Sequence, residues 1–111
     1  MEIVMETPTK GIAVLGFSGR MDLVSASEAK LKMTEAVAQG HQRLVVDLAE
    51  VSFLDSSGLG ALVGGLKAAR QAGGDLRIAR PTDQVMSILK LTMLDRVLRP
   101  YATIEEALTG Y

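Results

Sequence analysis

Three polar side chains, those of Asp55, Ser56 and Ser57, stand side by side in the sequence directly before Gly58. They follow an apolar segment typical of a strand and precede a segment with helical periodicity, so the pattern places them where a helix begins. Short side-chain oxygens at that position accept hydrogen bonds from the free N–H groups of the first helical turn. A serine hydroxyl there could also carry a phosphate, because a helix N-terminus tolerates added negative charge. Helix capping alone is the alternative interpretation.

A phosphate on Ser56 would change how another protein binds this turn. It would add about −1.5 to −2 charges and three acceptor oxygens next to Asp55. Like charges brought together in an interface cost several kcal/mol. A cost of about 3 to 4 kcal/mol weakens binding roughly 100- to 1000-fold. The sequence therefore allows Ser56 to act as a switch without any catalysis by this chain.

The helix predicted over residues 58–72 has two very different sides. At 100° per residue, the side predicted to be buried consists of Leu59, Leu62, Val63, Leu66 and Ala69. The opposite side consists of small residues, namely Ala61, Gly64, Gly65, Ala68 and Ala72. Exposed helix positions normally carry charged or long polar side chains, and each interior glycine costs about 1 kcal/mol relative to alanine. We therefore expect the small residues to face outward as a docking surface for a partner protein. Tight packing against another element of the same domain is the alternative.

Strand-like and helix-like segments alternate along the whole chain. Strands are predicted over residues 3–6, 11–17, 44–48, 76–79 and 97–98. Helices are predicted over residues 25–39 and 58–72, from Pro81 onward, and after a capping sequence that begins at Thr103. Residues 44–48 are almost continuously apolar, as in a strand covered on both faces. The pattern predicts one α/β domain over residues 1–111, with a mixed, mostly parallel central sheet of four to five strands and about four helices.

The composition argues against several classes of function. Lys and Arg total 12 and Asp and Glu total 13, giving a net charge of −1, so nucleic-acid binding is not expected. No apolar run approaches the roughly 18 residues of a membrane span, so membrane insertion is not expected either. Acidic residues near the start, in place of the basic ones of a signal peptide, and the absence of cysteine predict a cytoplasmic location. We predict no metal and no cofactor.

Catalysis by this chain is also not expected. Ser56 with His41 as a base would suggest a hydrolase, but the two residues lie beyond opposite ends of the strand predicted over 44–48. Five strand residues separate them by about 17 Å, too far for proton transfer. The glycines at 58 and 60 are not followed by the lysine of a nucleotide-binding P-loop. Asp47 is expected to hydrogen-bond a loop at the end of its strand.

Four segments of the chain resemble the STAS domain family, specifically the bacterial anti-sigma factor antagonists. They are residues 16–22, residues 44–48 together with 51–60, residues 91–97, and residues 103–108. In that family the serine directly after the aspartate of this turn is phosphorylated, which here is Ser56. The resemblance also implies that Asp55 and Asp22 flank the phosphorylated serine and that Ser57 supports the turn or caps the helix. Met21, next to Asp22, is expected to join the docking surface.

The resemblance implies partner switching. The unphosphorylated protein binds an anti-sigma factor that is also a serine kinase, which frees the sigma factor. Phosphorylation of Ser56 separates the complex, and a serine phosphatase restores binding. The alternative is a STAS interaction module of another assembly, such as a stress-signalling or lipid-transport complex, with no phosphorylation switch. We expect a monomer or a weak homodimer.

Overall fold

A five-stranded mixed sheet lies at the centre of the protein, for which a computed structural model describes residues 1–111. Its strands follow in chain order: β1 (Glu2–Thr9), β2 (Ile12–Met21), β3 (Arg43–Leu54), β4 (Asp75–Ala79) and β5 (Pro100–Tyr101). β1 is antiparallel to β2, and all the other neighbours are parallel. The helices are α1 (Ala26–Ala38), α2 (Ser56–Gln71), α3 (Asp83–Leu91), α4 (Asp95–Leu98) and α5 (Ile104–Leu108). The predicted fold class is confirmed.

The central strand β3 carries the functional turn at its end. Its apolar run is buried on both faces, as its composition predicts. β3 is longer than the predicted residues 44–48, because β2 pairs with it as far as Met21 opposite Leu54. The carboxyl ends of β2 and β3 therefore lie side by side, and the loops that follow them begin at the same edge of the sheet.

Two apolar clusters cover the two faces of the sheet unequally. The larger cluster joins one face to α1 and α2 through fully buried side chains such as Phe17, Met33 and Leu62. The smaller one, around Val45 and Ala107, lies under the short helix α5. Full burial of a large apolar side chain contributes about 1.5 to 3 kcal/mol, so the α1–α2 face holds most of the stabilising contacts.

The structure differs from the sequence prediction in the last third of the chain. Pro81 is not the first residue of α3, because the side chain of Thr82 accepts a hydrogen bond from the N–H of Val85 and caps a helix that begins at Asp83. Residues 97–98 belong to α4 and not to an edge strand, since the side chain of Leu98 is needed in the core. The edge strand β5 follows two residues later. The longest helix, α2, has 16 residues, and none of the helices is both long and apolar enough to cross a membrane.

Candidate functional site

The turn between β3 and α2 is built around the carboxylate of Asp55. Asp55 has an extended backbone and is the N-cap of α2. Its Oδ1 accepts hydrogen bonds from the N–H groups of Ser57 at 2.9 Å and Gly58 at 3.0 Å. A side-chain cap at this turn was expected, and Asp55 supplies it. Of the two roles expected for Ser57, it does not cap the helix, because it follows the N-cap; it contributes to the turn through its N–H group, which donates to Asp55.

Ser56 is the first residue of α2, and its side chain is exposed. Its hydroxyl forms no hydrogen bond within the protein. A free, solvent-facing hydroxyl can enter the active site of another enzyme without any part of this domain unfolding. The aligned peptide dipoles of α2 favour negative charge at this end of the helix, whereas the neighbouring carboxylate of Asp55 opposes it. The position is therefore chemically suited to accept a phosphoryl group.

The main chain of β2 supports the turn from one side. The N–H of Asp55 donates to the carbonyl oxygen of Met21 at 3.3 Å. A Cβ atom on Gly58 would lie 2.1 Å from that oxygen and 2.7 Å from Cδ1 of Leu54, so only glycine fits there. The side chain of Met21 is completely buried. The expectation that Met21 joins the docking surface is therefore wrong, since the residue supports the turn through its backbone.

Asp22 begins the loop that leaves the end of β2. Its carboxylate accepts hydrogen bonds from the N–H groups of Val24 and Ser25 and from Nε of Arg20 at 3.3 Å. Partial burial opposes ionisation, but the bonds from Arg20, Ser25 and Val24 outweigh it, so the pKa of the Asp22 carboxyl lies below its ordinary value. Because Met21 pairs with Leu54, Asp22 and Asp55 both leave the sheet at the same edge.

Some of the small residues of α2 are covered, and two of them, Gly64 and Gly65, lie against α1. Ala61 and Gly65 are buried, and a Cβ atom on Gly65 would lie 2.6 Å from Sδ of Met33 on α1. The side chain of Lys30 lies over Gly64, 2.9 Å from where a Cβ would stand. The outward orientation expected for Ala61 and Gly65 is therefore wrong. The alternative is correct for these residues, because α1 and α2 lie next to each other on one face of the sheet and small residues let them approach closely.

Part of the small side of α2 does remain accessible. Gly64 and Ala68 are half-buried, and Ala72 is exposed beyond the end of the helix. Gly60, one turn after Ser56, is exposed, with open space around it. The surface available to a partner is therefore narrower than expected: Gly60 is open one turn after Ser56, and the half-buried Gly64 and Ala68 lie farther along the helix.

Nearly the whole chain matches one known family. A family model described as the STAS domain matches residues 4–107. The chain belongs to the STAS domain family.

Two proteins similar to this STAS domain are named anti-sigma factor antagonists. The anti-sigma-F factor antagonist RsfB of Mycobacterium tuberculosis is 35% identical over 100 residues, which cover 90% of this chain and 81% of the relative. A solved anti-sigma factor antagonist from Mycobacterium paratuberculosis superimposes with a TM-score of 0.86 at 28% identity, covering 98% of this chain and 92% of that one. The Bacillus cell fate determinant SpoIIAA in its phosphorylated form shares the fold alone, with a TM-score of 0.77 at 22% identity and 97% of each chain covered.

Two apolar residues that the sequence analysis did not select lie at the same end of this STAS domain. Leu23 and Val24, in the loop after Asp22, are 76% and 90% exposed. The sequence signal that could have identified them is a pair of aliphatic residues inside a polar loop. Exposed aliphatic side chains of this kind are suited to burial against another protein.

The residues considered for catalysis lie away from the turn. His41 is in the loop between α1 and β3, at the opposite end of β3 from Ser56. Asp47 forms hydrogen bonds with Arg80, which directly follows β4. The guanidinium of Arg80 donates to the two carboxylate oxygens of Asp47 at 3.1 Å and 2.5 Å. Neither residue is placed to activate the hydroxyl of Ser56.

Proposed function

We propose that this chain is an anti-sigma factor antagonist that works by partner switching through Ser56. In its unphosphorylated form it binds an anti-sigma factor that is also a serine kinase, and the sigma factor is released. The kinase then transfers the γ-phosphoryl group of ATP to Oγ of Ser56, ADP leaves, and the hydroxyl proton passes to a base of the kinase. The phosphorylated chain dissociates, and a serine phosphatase hydrolyses the phosphate ester to restore binding.

The observation that carries this proposal is the exposed, unbonded hydroxyl of Ser56 on a turn that is otherwise held firmly. Asp55 caps the helix behind it, and Gly58 packs against the backbone of β2. A modification of Ser56 would therefore change the surface without disturbing the fold. Membership of the STAS family, with relatives named anti-sigma factor antagonists, supports the class of partner. The existence of a phosphorylated protein with the same fold is compatible with this chemistry.

Electrostatics supplies the size of the switch. Phosphate would bring the first turn of α2 from the single charge of Asp55 to about −2.5 to −3. Within α2 the helix dipole offsets part of that charge, so the folded domain tolerates it. A partner covering the turn would have to desolvate the same charge. The added charge therefore costs more in the complex than in the free domain. Phosphorylation weakens the complex by roughly 100- to 1000-fold while the domain stays folded.

In this proposal the chain is a regulatory protein and a substrate of its partner, not an enzyme. Its own residues bind, present the hydroxyl and set the local charge. The nucleotide and the catalytic base belong to the kinase. Leu23 and Val24 would supply apolar contact area beside the switch, since they lie at the same end of the molecule and are exposed.

The test is affinity capture with four versions of the chain: wild type, Ser56→Ala, Ser56→Asp and the control Ser87→Asp. Ser87 is an exposed serine on α3, so the control adds the same charge away from the turn. We expect a kinase-type anti-sigma factor to be retained by wild type, Ser56→Ala and Ser87→Asp and lost with Ser56→Asp. Incubation of the captured complex with ATP should add one phosphate to wild type and none to Ser56→Ala.

The opposite results would favour the STAS module without a switch. If the four versions capture the same partners, and mass spectrometry finds Ser56 unmodified after incubation with the captured kinase and ATP, partner switching is wrong for this chain.

A further inference from the structure

The side-chain amide of Gln84 closes the end of β3 on the side away from β2. Strand β4 pairs with β3 only as far as Ala79 opposite Asp47, so the later part of β3 has no strand on that side. Leu54, the last residue of β3, nevertheless has both of its main-chain groups bonded there. Its N–H donates to Oε1 of Gln84 at 3.0 Å, and its carbonyl oxygen accepts from Nε2 of Gln84 at 2.9 Å. These two bonds replace those that a neighbouring strand would make.

The position of α3 makes this pairing possible. Thr82 caps the helix beside the end of β3, and Gln84 follows in its first turn, half-buried. An amide carries a donor and an acceptor at its tip and can therefore satisfy an N–H and a C=O at once. A carboxylate cannot donate, and an apolar side chain can do neither. The residue type at position 84 matters for this contact, and nothing in the local sequence pattern reveals it.

Leu54 directly precedes the turn that carries Ser56. Successive residues of a strand direct their main-chain groups to opposite sides, so the N–H of Asp55 points to β2 and reaches Met21. The turn is thus held by the main chain of β2 on one side and by a side chain of α3 on the other. We infer that Gln84 is a positioning residue for the phosphorylation of Ser56: it holds Leu54 and thereby sets where Asp55 and Ser56 stand. The functional half of this inference rests on the function proposed above.

Amide hydrogen exchange tests, without any kinase, whether Gln84 holds Leu54 and the turn in place. Gln84→Met keeps the length of the side chain and removes both hydrogen bonds. Thr103→Ala is the matched control, because it removes a comparable cap, the 3.0 Å bond from the N–H of Glu106, from a helix that does not carry Gln84. We expect exchange at Leu54, Ser57 and Gly58 to rise roughly tenfold in Gln84→Met, the equivalent of two modest hydrogen bonds. In Thr103→Ala those three amides should exchange as in wild type.

Equal exchange at Ser57 and Gly58 in Gln84→Met and wild type would overturn the inference, because Gln84 would then hold only Leu54 and not the turn.

The rate of phosphorylation tests the functional half. The kinase is the one recovered with the Ser56→Ala variant, supplied with ATP. We expect kcat/KM for Ser56 to fall roughly tenfold in Gln84→Met and to stay within about twofold of wild type in Thr103→Ala. Equal values for the two variants would overturn the role of Gln84 in phosphorylation. If wild type is not phosphorylated, the proposed function fails, while the exchange experiment still decides whether Gln84 holds the turn.

Discussion

Two glycines in the first turns of α2 are expected to respond to the same substitution in opposite directions. A methyl group at position 58 would meet a main-chain oxygen, that of Met21, at 2.1 Å. Neither the oxygen nor the helix can move without displacing the end of β2 or the cap of α2. At position 60 there is nothing within 4 Å of the added Cβ, and the residue lies inside the helix.

The magnitudes follow from these two environments. Overpacking against fixed atoms costs about 1 to 3 kcal/mol, so Gly58→Ala should lower the free energy of unfolding by that amount. Gly60→Ala should raise it by about 1 kcal/mol, since alanine loses less conformational entropy in a helix interior than glycine does. The two variants should therefore differ by about 2 to 4 kcal/mol in stability.

Urea denaturation followed by circular dichroism measures this difference. With a slope of about 1.5 kcal/mol per molar urea, the two midpoints should be separated by roughly 1 to 3 M, with wild type between them. A Gly58→Ala midpoint at or above that of wild type would refute the reasoning, because the close approach of α2 to the end of β2 would then not exist in solution. A Gly60→Ala midpoint below that of wild type would show that the outer side of this turn is covered.

Two further predictions concern groups at the ends of elements. Asp55→Ala should destabilise the protein by about 0.5 to 2 kcal/mol through loss of the cap, whereas Asp55→Asn, which keeps the acceptor oxygen, should retain most of the stability; equal urea midpoints for the two variants would contradict the capping role. Burial and the nearby charge of Asp75 raise the pKa of the Tyr111 phenol, which donates to the carbonyl oxygens of Leu44 and Asp75. Folding favours the neutral phenol. The contribution of Tyr111 to the free energy of unfolding is therefore fully present below the pKa of the phenol in the unfolded chain, about 10, and it is lost as the pH rises above that value. Between pH 9 and 11 the free energy of unfolding, measured by urea titration, should therefore fall less in Tyr111→Phe than in wild type. An equal fall in the two proteins would contradict this role of Tyr111.

Much of the fold could be predicted because local patterns report it directly. The helical spacing in α1 places that helix to within one residue at each end, and the apolar run places the start of β3 to within one residue but not its end. The polar triplet after β3 places the start of α2 to within two residues of the predicted residue 58, since Asp55 caps the helix with bonds that depend only on neighbouring residues. The prediction was least accurate near β5. This strand has only two residues, which show no sequence pattern typical of a strand and form one only by pairing with β4.

The candidate site was predicted only in part, for a reason visible in α2. Helical periodicity tells which side chains share a face, and it separated the large residues from the small ones correctly. It did not tell what lies against each face. Ala61 and Gly65 were expected to be outside and are buried, and at Gly65 the reason is that Met33 of α1 lies against it.

The sequence alone therefore determined the order of the elements up to α3, the capped turn and the membership of Ser56 in that turn, because each depends on residues close together in the chain. Only the tertiary structure decided which small residues of α2 are accessible, that Met21 supports the turn through its backbone, and that Gln84 reaches Leu54 from 30 residues away. These features arise where separate elements meet. The distances and orientations of side chains at these contacts between elements depend on how the whole sheet and its helices pack, and no local sequence pattern encodes that packing.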